Sequence, residues 1–260
     1  MRAPVASPWP YLDHPGPLPF AHRGGASEWP ENTMPAFQHA VALGYRYLET
    51  DVHATADGVL VAFHDDVLDR VTDRSGVIAA LPWSEVRRAR VAGEPIPLLD
   101  DLLGTWPEVR VNIDPKHDAA VVPLVEVLRR HGAENRVCVS AFSDRRLSRF
   151  RRLTAGRVCT GTGPFEIARL RLASVGVRGV SGIRGRRLAA CVQVPERYRG
   201  RRLVDARFVS AAHRRHLQVH VWTVDDRADM ERLLDLGVDG IMTDRPALLK
   251  EVLTARGEWA

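Results

Sequence analysis

The sequence predicts an α/β protein: a single-domain (β/α)8 TIM barrel with a short irregular insertion after the second strand. Three observations point there. Strand, turn and helix recur along the chain, and eight strands are each followed by a helix. Alternation of this kind argues for a parallel sheet, and eight such units in 260 residues suit a closed barrel better than an open doubly wound sheet. No GxGxxG follows the first strand; Gly161-Thr162-Gly163 follows a later one but lacks the third glycine and reads as a plain turn.

The elements follow in order. Leu18 to Ala21 is a short apolar strand running into His22-Arg23-Gly24-Gly25. Thr33 caps a helix with Pro35 in its first turn, and Gly44 stops it. Tyr45 to Val52 is a strand, and the turn Asp57-Gly58 leads to the extended Val59 to His64. Residues 65–97 form the insertion, with a short helix near Trp83 to Arg90. Leu98 to Leu103 is helical, Val109 to Asp114 a strand, and Ala119 to His131 a helix stopped by Gly132. The pairs Arg136–Ser140 with Asp144–Leu153, Gly156–Thr160 with Pro164–Ser174, and Ala190–Val194 with Phe208–His216 continue the alternation. Gln218–Val224 with Ala228–Leu236, and Gly240–Thr243 with Pro246–Leu253, complete it. The barrel therefore spans residues 19–255, preceded by a Pro-rich segment over 1–18.

Composition excludes several classes. The chain is 45% hydrophobic and 27% charged, which rules out collagen, coiled coil and disorder. No apolar run is long enough for an integral membrane segment. Met1 to Phe20 holds six prolines and no apolar core, so it does not read as a secretory signal. Cys138, Cys159 and Cys191 are dispersed and read as small buried hydrophobes; with the missing signal, this favours the cytoplasm. The net charge is +5, and arginine supplies 35 of the 37 basic residues, Lys116 and Lys250 being the two lysines. That skew reads as compositional bias, and no nucleic-acid-binding signature accompanies the runs Arg145 to Arg152 or Arg184 to Arg202. No nucleic-acid partner is expected; attraction to anionic substrates or phospholipid surfaces is the milder consequence.

Residues two apart in a strand share a face. Glu49 and Asp51 share one, Asn112, Asp114 and Lys116 another, and His220 and Trp222 a third. The alternate positions are mainly apolar and suit packing against helices, while these inward faces become polar towards the C-terminal ends of the strands, the active-site mouth of barrel enzymes. Three carboxylates from two strands make an oxygen cage for one hard divalent cation, Mg²⁺ or Ca²⁺. His22 and His64 end neighbouring extended segments and could serve as proton acceptor and donor near neutral pH. Lys116 supplies a compact ammonium suited to a phosphoryl oxygen.

The ordered set His22-Arg23-Gly24, Pro30-Glu31-Asn32-Thr33, Glu49-Thr50-Asp51-Val52, Asp57-Gly58, His64-Asp65, Val221-Trp222-Thr223-Val224 and Gly237 through Pro246 resembles the glycerophosphodiester phosphodiesterases from about Phe20 to Leu253. The resemblance implies a TIM barrel, a divalent cation, and hydrolysis of a small glycerophosphodiester to glycerol 3-phosphate and an alcohol. It implies His22 and His64 as the acid/base pair and Glu49, Asp51 and Asp114 as metal ligands. Arg23 and Lys116 become phosphate contacts and Trp222 an apolar wall. Two departures stand out: Asp114 where the family usually has glutamate, and Asp225 where it often has asparagine. A lysophospholipase D on the same barrel and a non-catalytic phosphate-binding barrel are the alternative readings. Among the other histidines, His39, His131, His213 and His216 are expected at the surface or in packing, whereas His53, His117 and His220 lie near enough to the site strands to touch the site.

Overall fold

The computed structural model describes residues 7–177 and 189–260. Its eight parallel staves are β1 (Leu18–His22), β2 (Tyr47–Ala54), β3 (Arg110–Pro115), β4 (Val137–Val139), β5 (Cys159–Thr160), β6 (Cys191–Pro195), β7 (Gln218–Trp222) and β8 (Gly240–Thr243). They run in the order β5-β4-β3-β2-β1-β8-β7-β6. The ends meet through a parallel bridge between Gly161 and Cys191, where the Thr162 N–H donates to the Cys191 carbonyl at 2.9 Å. The barrel is thus closed, as the sequence predicts.

The outer helices are α1 (Met34–Ala42), α2 (Leu99–Thr105), α3 (Val121–Arg130), α4 (Asp144–Leu153), α5 (Pro164–Ser174), α6 (Ala206–His213), α7 (Arg227–Leu236) and α8 (Pro246–Ala255). Their starts are set by side-chain caps. Thr33 accepts from the Ala36 N–H, Ser143 from Arg146, and Asp226 from both Ala228 and Asp229, each satisfying donors that a helix leaves unpaired. Gly237, left-handed at φ +88°, closes α7.

Several element boundaries shift from the sequence reading by a residue or two, and three of the differences are larger. Helix α6 begins earlier than Phe208 because the Asp205 carboxylate accepts from the Phe208 N–H, and it ends at His213, ahead of His216 at φ +59°. Stave β5 is two residues long because Ala155 and Gly156, at φ +50° and +65°, belong to the stop after α4. The helix expected over Trp83 to Arg90 is a single turn, Trp83–Val86. Beyond it the chain pairs Arg90–Val91 with Glu94–Pro95 around Ala92 and Gly93, both at positive φ.

Apolar residues from alternate stave positions form two layers. Leu48, Val111, Ile113, Val137 and Val139 face outward onto the helices. Phe20, Tyr47, Cys138, Cys159, Cys191 and Met242 fill the barrel interior. The three cysteines are buried free thiols, in keeping with their reading as small hydrophobes. Of the Pro-rich segment, Tyr11 and Leu12 join the interior cluster, and the Tyr47 hydroxyl donates to the Tyr11 carbonyl at 2.8 Å. The insertion carries its own small core around Leu68, Ile78 and Val86, which packs on Phe63 just before it. No helix among the described residues is long and apolar enough to cross a membrane. The basic residues Arg184, Arg186 and Arg187 lie outside the described residues.

Candidate active site

The register of three adjacent staves brings the polar side chains together. His22 pairs across β1–β2 with Glu49, and Asp51 pairs across β2–β3 with Asp114. His22 ends β1 and Asp114 is next to last in β3, register sets Glu49 and Asp51 of β2 beside them, and the four side chains line a cavity of about 320 Å³ together with His64 and Lys116. Arg23 and Trp222 line it as well, so the eight residues singled out from the sequence converge on one pit. The entry turn requires glycine. Gly24 sits at φ +85°, and a Cβ there would meet Ala36 Cβ at 2.8 Å and its carbonyl carbon at 2.9 Å. Arg23 just before it is also left-handed, at φ +52°, a conformation uncommon away from glycine and concentrated at functional sites. It aims the Arg23 N–H at Glu49 Oε2, 3.1 Å away.

The pit is strongly charged and scarcely wet. Glu49, Asp51 and Asp114 are 5%, 2% and 7% exposed, and burying carboxylates is costly unless cations answer them. Lys116 Nζ lies between Asp51 Oδ1 at 2.6 Å and Asp114 Oδ2 at 2.8 Å, and Arg23 Nε is 3.2 Å from Asp51 Oδ2. Burial raises the Asp51 carboxyl, but Lys116 and Arg23 outweigh it and hold the group below its ordinary value. Lys116 likewise stays protonated, since Asp114 and Asp51 outweigh its burial. Glu49 fares differently: burial and the neighbouring Asp51 push its carboxyl up to about 7. Burial also raises Asp114. Both cations expected to contact phosphate are therefore engaged with carboxylates of the pit.

Each imidazole is backed by a carboxylate. His22 Nδ1 is 2.6 Å from Asp244 Oδ1, and its Nε2 is 3.8 Å from Glu49 Oε2. Burial disfavours the His22 imidazolium, but Glu49 and Asp244 outweigh it and raise the group above its ordinary value. Asp244 follows β8 and is held by Asp225, whose Oδ1 accepts from the Thr243 hydroxyl at 2.9 Å and the Asp244 N–H at 2.8 Å. A side-chain carbonyl can accept the same two bonds, so Asp225 does here what an asparagine oxygen would do. Asp244 is a positioning residue that fixes the His22 ring and its tautomer. Asp244→Asn should lower kcat by up to about 10²-fold, within the range that acid–base catalysis contributes, and move the His22 limb of the pH–rate profile to lower pH. Stopped assays across pH would read both effects.

His64 Nδ1 lies 2.6 Å from Asp65 Oδ1, and Asp65 accepts from Arg70 Nε at 2.5 Å. Arg70 also grips Glu31 through both terminal nitrogens, at 2.7 and 3.0 Å, and Glu31 reaches Arg23 at 3.1 Å. One chain of ion pairs therefore runs from His64 to the carboxylates at the pit. The Arg70 bonds hold the Asp65 carboxyl down at about 2, with His64 adding to the effect. A depressed native value means that the unfolded chain binds this proton first. The Asp65 contribution to stability is therefore present above the ordinary carboxylate range and is lost as pH falls from about 4 towards about 2. Thermal melts of Asp65→Asn should show a shallower acid-side decline than those of the wild type.

The sequence reading assigned no role to Asp65, Arg70, Asp244 or Gln193. The first three stand in or beside the quoted motifs and gain meaning only from their contacts. Gln193 Nε2 donates to Asn112 Oδ1 at 2.8 Å, and Ser140 donates to Gln193 Oε1, forming the polar floor of the pit. Gln193 stands between two valines on β6, an alternation that marks it as inward-facing. His220 lies deeper and is fully buried, bonded to Gln218 and Gln193 beside Phe20, and does not line the pit. His53 donates to the His64 carbonyl at 3.1 Å from behind, and His117 caps the turn at Asp118–Ala120. His213 packs against Asp239 at 2.6 Å. A larger cavity of about 390 Å³ opens at the other end of the barrel, but its acid–base pair, this same His213–Asp239, holds α6 against the β7–β8 edge through the Val219 N–H.

The donor set fits a hard cation in kind. Asp114 Oδ1 is buried without a hydrogen-bond partner, Asp51 Oδ2 has only the Arg23 ion pair, and burial and Asp51 raise Glu49 despite the nearby His22, Lys116 and Arg23. Among the described residues no three donors are spaced for coordination, and Lys116 Nζ lies between Asp51 and Asp114.

The glycerophosphoryl diester phosphodiesterase family model matches residues 22–248. A Mycobacterium tuberculosis (strain H37Rv) protein named "Probable glycerophosphodiester phosphodiesterase 2" is 46% identical over 253 residues, covering 96% of this chain and 95% of its own. A lysophospholipase D of Homo sapiens is 29% identical over 276 residues, covering 90% and 85%. A solved phosphodiesterase of Oleispira antarctica, bound to its product sn-glycerol-3-phosphate, shares the fold with a TM-score of 0.76 at 22% identity, covering 92% and 97%.

Proposed function

The chain belongs to the glycerophosphoryl diester phosphodiesterase family, and from that premise we propose that it hydrolyses glycerophosphodiesters to glycerol 3-phosphate and an alcohol by acid–base transfer between His22 and His64. The observation that carries this reading is the pairing of two carboxylate-backed imidazoles with three buried carboxylates in one cavity. Among the described residues that line the pit there is no cysteine, and the one serine, Ser140, donates its hydroxyl proton to Gln193. In line with what the family resemblance implies, the attacking group in this reading is the substrate's own glycerol 2-hydroxyl. One imidazole takes its proton as the oxygen bonds to phosphorus, and the other protonates the departing alkoxide. Water opens the resulting cyclic phosphate with the two roles exchanged.

Glu49, Asp51 and Asp114 would hold one divalent cation, Mg²⁺ or Ca²⁺. Bound there, it supplies Lewis-acid neutralisation of the phosphoryl oxygens. Lys116 and Arg23, each already touching a pit carboxylate, turn their remaining donors to the phosphate. Trp222 with Phe142, edge-on at 5.5 Å, walls the apolar side.

A coupled assay of glycerol 3-phosphate release over several head groups, with chelator and metal add-back, tests the reading. Absence of product from every head group overturns it in favour of a phosphate-binding barrel. A diester lacking the 2-hydroxyl should resist cleavage, and its efficient turnover would remove the internal-attack route. The exposed Phe142 at the mouth favours a second reading, a lysophospholipase D activity. Comparing glycerophosphocholine with a lysolipid in the same assay separates the two.

A further inference from the structure

One sector of the mouth differs from the rest. On the loops after β1 and β2, Arg23 and Arg70 are matched to carboxylates. On the loops after β4, β5 and β6, Phe142, Phe165 and Tyr198 stand 67%, 62% and 58% exposed. Phe142 leans on Trp222 at the pit wall. Phe165 lies in the first turn of α5, and the Arg169 guanidinium sits over its ring at 5.5 Å. Tyr198 belongs to an antiparallel ribbon, Arg197–Tyr198 with Arg201–Arg202. That ribbon begins just after Pro195, which is in register with Trp222.

The ribbon is a cluster of exposed positive charge. Glu196 answers Arg202 at 3.5 Å. Arg199 lies over the Tyr198 ring, and Arg197 bonds a backbone carbonyl. Among the described residues, Arg197, Arg199 and Arg201 have no carboxylate partner. Exposed aromatics grouped at one rim mark an interaction surface. Aromatic rings beside unpaired arginines match a membrane interface, where rings enter the headgroup layer and cations meet anionic lipid.

We propose that this aromatic and arginine rim docks on an anionic phospholipid bilayer and holds the mouth of the pit at headgroup level. The rings follow three separate staves, on a loop, a helix start and a ribbon, and one of them packs edge-on against the pit wall. They therefore offer no continuous stacking track for a single-stranded nucleic acid. The proposal concerns surface binding and stands independently of the reaction assigned to the pit.

The test is co-sedimentation of the full chain with vesicles of phosphatidylcholine alone, or of phosphatidylcholine mixed with phosphatidylglycerol. Binding to the mixed vesicles should be at least about tenfold stronger and should weaken with added salt. Arg199→Glu with Arg201→Glu should lower it by about tenfold or more, at roughly fivefold per charge near the surface. Phe165→Ser with Tyr198→Ser should lower what remains at high salt. Neither double variant touches the pit, so hydrolysis of glycerophosphocholine in solution stays at the wild-type rate and reports an intact fold. Equal binding to both vesicle types, unchanged binding by the charge variant, or capture of a single-stranded oligonucleotide without capture of vesicles overturns the proposal.

Discussion

His22→Ala and His64→Ala should each lower phosphodiester turnover by about two to four orders of magnitude, the contribution expected of a positioned acid or base. Neither ring is a major packing element. The side chains of His22 and His64 are 14% and 34% exposed, so melting temperatures should move little, and the loss should appear in kcat. The wild-type profile should be bell-shaped, and each variant should lose one limb. The double variant should be little worse than either single one, because the two groups serve one proton inventory. Near-normal rates in both variants would remove the assignment. Removing Asp65 or Asp244 instead leaves the imidazole in place but frees its ring, so those losses should be smaller.

Chelation should bring turnover to background, with Mg²⁺ or Ca²⁺ restoring it. Glu49→Gln gives a readout that does not pass through activity. Glu49 titrates near pH 7 in the native protein and near the ordinary carboxylate value when unfolded. Between those values the native state binds the extra proton, so stability falls as pH rises through that window and stays low above it. Without cation at pH 8, Glu49→Gln should therefore be more stable than wild type, by up to about 3 kcal/mol. With cation the order should reverse, because ligand binding stabilises only the state that holds the ion. Titration calorimetry should show the binding heat lost in Glu49→Gln and Asp51→Asn. Identical melts with and without cation in the wild type would reject Glu49, Asp51 and Asp114 as ligands.

Much of this molecule can be read along the chain, because strands and helices impose short periods on side-chain direction. Glu49 and Asp51 two apart, and Asn112, Asp114 and Lys116 two apart, necessarily share a face. Eight alternating units necessarily favour a parallel barrel whose functional face is the C-terminal one. Local chemistry likewise marked Thr33 as a cap and Gly132 as a stop. The misjudged boundaries at α6 and β5 were decided by a cap three residues upstream and by left-handed residues, signals weaker than periodicity.

The partners were not legible. Asp244 is 222 residues from His22, Arg70 is 39 from Glu31, and Gln193 is 81 from Asn112. His220 shares its strand face with Trp222 yet points into the buried barrel interior, because depth along a stave is set by register with neighbouring staves. Which stave residues face inward follows from the order of amino acids alone, since a strand's two-residue alternation is a local property of the backbone. Folding in three dimensions is what sets Asp244 behind His22, Asp65 behind His64, and Lys116 between Asp51 and Asp114. Those contacts depend on barrel closure and stave register, and on charges that become strongly coupled only once water has been excluded between them.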